Sequence, residues 1–219
     1  SVATTNATGI MPNNDYDRYN FSFRNTTNFL NNKFILDTSA NYIIQNDKNM
    51  VSQGQYFNPL TSLYLFPRGE DFSDVAVYER YDDLSGVNTQ YWPYGDLGGV
   101  SSQNPYWIMN RMNRENDRRR YKLAASLQYN IIEGLNVQGR VSIDNTESKY
   151  TEKFHAGTVG NFAGPKGRYK EENRLDRQVY ADVLANFNKT FNEFNVTANL
   201  GASIKDLRME LTSLHGDLN

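Results

Sequence analysis

Cysteine is missing altogether from the 219 residues. That excludes a disulfide scaffold, thiolate catalysis and any thiolate metal site. Histidine occurs only twice, at His155 and His215, which leaves little for an imidazole-based centre. No stretch of about 18 apolar residues is present, so no transmembrane helix is expected. The opening SVATTNATGI lacks a basic and then apolar leader, so no signal peptide is expected. Charge of one sign is also lacking. Lys and Arg total 23 against 25 Asp and Glu, which argues against a nucleic-acid partner held by bulk charge. GxGxxG, P-loop and HExxH patterns are all absent.

What is present is unusual. Apolar residues reach only 38%, below the common range of about 45–50%. Mean hydropathy is -0.71. Yet there are 15 Tyr and 12 Phe, more aromatics than a disordered chain carries. Few apolar residues and many rings suit an architecture with one apolar face, and strands provide it.

Six segments alternate with period two, at about 19–29, 34–45, 119–132, 135–149, 175–188 and 194–205. In the second, Phe34, Leu36, Thr38, Ala40, Tyr42 and Ile44 oppose a more polar set. In the sixth, Phe194, Val196, Ala198, Leu200, Ala202 and Ile204 do the same. The first is imperfect, because Asn25 interrupts its apolar face. All six prolines fall outside these segments. Alternate connections are short: Asn31 to Lys33, Glu133-Gly134 and Lys189 to Glu193. The others, 46–118 and 150–174, are long, and the chain is expected to turn irregular after Lys205.

Long strands, short turns at one end, long loops at the other and aromatics near both ends match an outer-membrane β-barrel. The expected fold is therefore all-β: a segment of an antiparallel transmembrane barrel with short periplasmic turns and long extracellular loops. Six strands are too few to close one, so residues 1–219 are expected to be one part of a larger barrel domain. A soluble β-sandwich, such as a carbohydrate-binding module, is the alternative, since it too has one apolar and one polar face.

The loop stretch from Gln53 to Phe72, QGQYFNPLTSLYLFPRGEDF, resembles the SusC/RagA family of TonB-dependent outer-membrane transporters. Gln103-Asn-Pro-Tyr-Trp-Ile-Met-Asn-Arg111 and the strand-turn-strand through Ser142 resemble it too, as do Arg18-Tyr-Asn-Phe and Asn41-Tyr-Ile. The resemblance covers most of residues 16 to 150. It implies a 22-stranded barrel with a plug domain in the bacterial outer membrane of a Gram-negative, Bacteroidetes-like cell. It implies import of glycans, oligosaccharides or peptides with a SusD-like surface lipoprotein, coupling to the TonB complex, and contact with outer-membrane lipid. No TonB box or plug is found in these residues, so transport by this chain alone is not expected.

Catalysis finds no support, and no cofactor or metal is expected. Asp71/Asp74 and Asp82/Asp83 read as solvated loop charges sooner than as a calcium site. His155 and His215 read as surface residues. For the run Arg111 to Arg120, contact with phosphate groups or a partner stands beside a solvated strand entry. The Asn-x-Thr triplets at Asn25, Asn188 and Asn195 read as accidents of composition. The first long loop is too aromatic to wave in water. Most of its rings are expected to form a small satellite core. Tyr91, Trp92 and Tyr94, with Tyr64, Arg68 and Trp107, are the candidate substrate or partner contacts.

Overall fold

The computed structural model describes residues 1–51, 54, 56–94 and 103–218. Seven strands form one antiparallel sheet, and in their order across it they are β1 (Val2–Thr8), β2 (Asp15–Phe29), β3 (Phe34–Lys48), β6 (Met112–Ile132), β7 (Leu135–His155), β8 (Gly167–Phe191) and β9 (Phe194–Asp217). Between β3 and β6 lie α1 (Pro59–Tyr64), a 3-10 turn (Phe72–Ala76), a two-stranded ribbon of β4 (Glu79–Asp82) and β5 (Val87–Gln90), and α2 (Pro105–Arg111).

Directly opposed residues share a face of a sheet. The register therefore joins Phe23, Ala40, Leu123, Ile143 and Val179 in one apolar row across β2, β3, β6, β7 and β8. Phe29, Phe34, Tyr129, Val137 and Ala185 form the row nearest the turns, and Phe34 stacks between Phe29 and Tyr129 at ring separations of 5.6 and 4.6 Å. The opposite face is hydrophilic and tied by ion pairs. Arg140 and Asp182 are opposed on β7 and β8 and share a forked contact, with Nη2 at 2.8 Å. Arg120 forks onto Asp144 at 2.8 and 2.6 Å.

The turns follow from local chemistry. In the β2–β3 turn, Leu30, Asn31 and Asn32 are all left-handed, with φ of 53°, 55° and 63°. Asn accepts that conformation readily and Leu does not. Gly134 turns β6 into β7 at φ 81°, where an added Cβ would meet the Asn188 carbonyl oxygen at 2.3 Å. Only glycine satisfies both conditions. Asn192, at φ 52°, opens the turn into β9.

Three expectations change. A seventh strand, β1, pairs with β2 from Val2↔Phe21 to Thr8↔Asp15. The strands also outrun their apolar alternation: β8 starts at Gly167, and β9 continues to Asp217 where irregular chain was expected. There the ladder is held by backbone pairing and polar side chains, which leave no period-two apolar mark. Third, the transmembrane barrel is not what the structure shows. Both sheets are open, and β1 and β9 each leave one edge unpaired among the described residues. No wall encloses a lumen. The expected outer-membrane location and role as barrel wall of a TonB-dependent importer, argued from strand length, loop asymmetry and aromatic placement, are not borne out by this open sheet. Among the described residues no helix is long and apolar enough to cross a membrane.

Candidate functional site

The buried core does not lie on the apolar face. It lies in a layer of loops at the end of the sheet away from the three short turns. Trp107, Ile108, Met112, Phe154 and Ala163 form it, with Phe57, Tyr78 and Phe162 packed around them. Met112 and Phe154 are opposed on β6 and β7, on the same face as Arg118, Arg120 and Ser148. The loop layer therefore roofs the polar face of the sheet.

Both helices of the layer start alike. Asn58 and Asn104 cap them by accepting from Leu60 and Tyr106, and Pro59 and Pro105 follow at the first helical position. Asn104 also joins distant loop segments: its Nδ2 donates to the Val75 and Tyr91 carbonyls at 2.9 and 3.1 Å. Its backbone N–H donates to Gln90 Oε1 at 2.6 Å. Gln103, fully buried, donates to the Tyr56 carbonyl at 2.7 Å. Asn49 accepts from the Arg114 N–H at 2.8 Å and so ties the end of β3 to β6. Buried amides of this kind fix the loops because each unpaired one would cost about 1–3 kcal/mol.

A forked ion pair anchors the ribbon to α2. Arg111 Nε and Nη2 each stand 2.8 Å from the Glu79 carboxylate. Arg111 holds the Glu79 carboxyl below its ordinary range, and Glu79 raises Arg111 in return. Burial lowers the Arg114 guanidinium, whose Nη2 donates to the Phe57 carbonyl at 3.2 Å while its Nε has no partner. Burial first, and Glu152 second, raise the Tyr150 hydroxyl.

The sequence candidates are dispersed through this layer. Trp107 is 1% exposed and donates from Nε1 to Thr158 Oγ1 at 3.2 Å, so it sits inside the layer, out of reach of a ligand. Trp92 and Tyr94 come together, with rings 5.0 Å apart, and Tyr94 packs edge-on against Phe66. Both are half-buried. Tyr91 is half-buried beneath Arg80, whose guanidinium carbon stands 3.3 Å from its ring centroid. Tyr64 is 87% exposed and Arg68 is exposed. Gln53 and Gln55 of the resembling stretch lie outside the described residues. Among the described residues no group of acidic or histidine side chains is arranged for a metal ion. His155 and His215 both lie exposed on strands.

Sequence reasoning missed a groove on the polar face, just below the roof. It has a volume of about 570 Å³ and is lined chiefly by Arg118, Arg120, Ser148, Tyr150, Arg174 and Asp176. The mixed charges of 111–120 gave only half of the signal. The other half, Ser148 and Arg174, is far along the chain and comes beside Arg118 through pairing alone.

No family model matches the chain, and no curated protein does. Solved structures do. The chain is similar to one described as the RagAB peptide importer in the "open-open" state, with a TM-score of 0.63 and 14% identity over 94% of this chain. The "closed-closed" state of the same importer gives 0.61 and 15% over 93%. A structure of the RagAB peptide transporter gives 0.63 and 14% over 93%. In each case the chain spans 22% of the length of the chain it matches. At that identity the likeness concerns fold alone: this chain shares the fold of a limited part of the RagA/SusC-type transporter.

Proposed function

We propose that the chain is a binding element, not a catalyst, and that it takes a carbohydrate chain along its polar face beneath the loop layer. One observation carries this: the loops fold over the polar face and form a core there through Met112 and Phe154. The groove lies on the same face of the sheet as this roof. The face below it presents Ser22, Asn41, Ser126, Gln128, Ser142 and Gln138, which both donate and accept, as sugar hydroxyls require. Trp92 and Tyr94, half-buried in the loop layer, are the rings proposed to meet the apolar side of a sugar, while Arg80 covers Tyr91. Trp107 positions the layer from within, and Tyr64 and Arg68 stand at its outer surface.

Titration calorimetry of the folded chain with neutral oligosaccharides tests the reading. Trp92→Ala with Tyr94→Ala is expected to weaken binding about tenfold, equivalent to about 1.4 kcal/mol. Unchanged affinity, or no binding of any oligosaccharide, refutes it.

A SusD-like lipoprotein is the partner we propose for the outer side of the layer. Tyr64 at 87%, Tyr81 at 65% and Leu84 at 99% are the exposed side chains of this loop proposed to meet it. Co-expression with such a lipoprotein should give a complex that Leu84→Asp weakens.

A further inference from the structure

Resting on that binding reading, we propose that the groove is selective for a ligand carrying a carboxylate, which Arg118 and Ser148 would receive. The argument is one of charge. Three guanidinium groups line the groove: Arg118, Arg120 and Arg174. Arg120 is forked onto Asp144, and Arg174 pairs with Asp176 at 2.7 Å. Glu172, also in the lining, pairs with Lys170 at 3.0 Å. Arg118 alone has no carboxylate partner among the described residues. Its one hydrogen bond goes from Nε to Ser148 Oγ at 3.3 Å.

That contact leaves both terminal nitrogens of Arg118 free, beside a hydroxyl that can still donate. A planar guanidinium with its outer N–H groups open suits a carboxylate, which it grips through two parallel hydrogen bonds. The count also favours a single negative charge over a phosphate dianion, because one cation is uncompensated in the groove. Position supports the reading further. Arg118 lies four residues along β6 from Arg114, which is bound to the roof through Phe57. At about 3.3 Å per residue, that places the free guanidinium roughly 13 Å below the roof contact. Ser148 stands opposite Arg118 on one side and opposite Arg174 on the other, so the anchor lies in the middle of the polar face.

Among carbohydrate chains, a uronic-acid oligosaccharide carries such a group. Calorimetry compares oligogalacturonate with a neutral oligosaccharide of equal length. The acidic member should bind at least tenfold more tightly. Arg118→Met should remove the preference while leaving neutral binding in place, and Ser148→Ala should reduce it. Arg119→Met, on the opposite face, should change nothing and reports on folding. Neutral binding without any preference for the acidic ligand overturns this inference and leaves the binding reading intact. The same holds if Arg119→Met and Arg118→Met behave alike. Failure of every oligomer to bind overturns both.

Discussion

At the scale of single residues, the Glu79–Arg111 fork makes stability depend on pH. Arg111 draws the Glu79 carboxyl below its ordinary value. A carboxyl depressed in the folded state contributes stability that is complete above its unfolded value, about 4.3, and fades as pH falls toward the folded one. Urea unfolding from pH 7 to pH 3 should show that decline. Glu79→Gln should lower stability at pH 7 by about 1.5–3 kcal/mol and flatten this part of the profile. Leu30 offers the opposite case. It sits at φ 53° with its side chain 68% exposed, so it has strain and little packing to lose. Leu30→Asn should raise stability by about 1 kcal/mol in thermal unfolding.

Among the elements, the β4–β5 ribbon depends on one close approach. The Gln90 N–H donates to the Gly157 carbonyl at 3.1 Å, and a Cβ on Gly157 would stand 2.2 Å from the Asn88 carbonyl oxygen. Gly157→Ala should therefore displace the ribbon. Hydrogen exchange at the Gln90 and Tyr91 amides should accelerate, while that of Ile143 in the middle of β7 stays slow. The elements also show what the sequence disclosed. Period-two alternation marks a strand where one face is apolar, as from Phe34 to Ile44. It is silent where both faces are polar, as from Gly167 to Arg174, where Tyr169 is the lone aromatic. Nor is the barrel wall legible in that pattern: alternation tells which face is apolar, and nothing about what covers it or whether the edges meet. The loop layer also carries legible helix starts. Asn-Pro at 58–59 and at 104–105 is a cap followed by a first-turn proline, a helix start written twice in one loop. The groove was not legible, because Arg118, Ser148 and Arg174 become neighbours only through register.

Taken whole, the molecule places its small core in the loops and leaves the apolar face of the sheet uncovered. Phe23 is 62% exposed, Leu200 78% and Ile204 71%. Contiguous apolar surface of this kind promotes association. Sedimentation of the folded chain should show concentration-dependent assembly that Leu200→Asp with Ile204→Asp reduces, and a mass independent of concentration would contradict this. The strand order has a further consequence, for the time course of folding. Apart from the step from β3 to β6, every strand of the main sheet pairs with its immediate successor, across connections of at most 11 residues. Such hairpins close in microseconds. The exceptional step must bring Lys48 to Glu115 across the whole first loop. Closing a loop that long costs about 2–3 kcal/mol more than closing a four-residue turn. The two halves of the sheet should therefore zip separately and meet late. The roof, whose Trp107–Thr158 and Asn49–Arg114 bonds join segments far apart in the chain, should set last. By this order, a groove able to hold ligand exists only once the slowest contacts have formed.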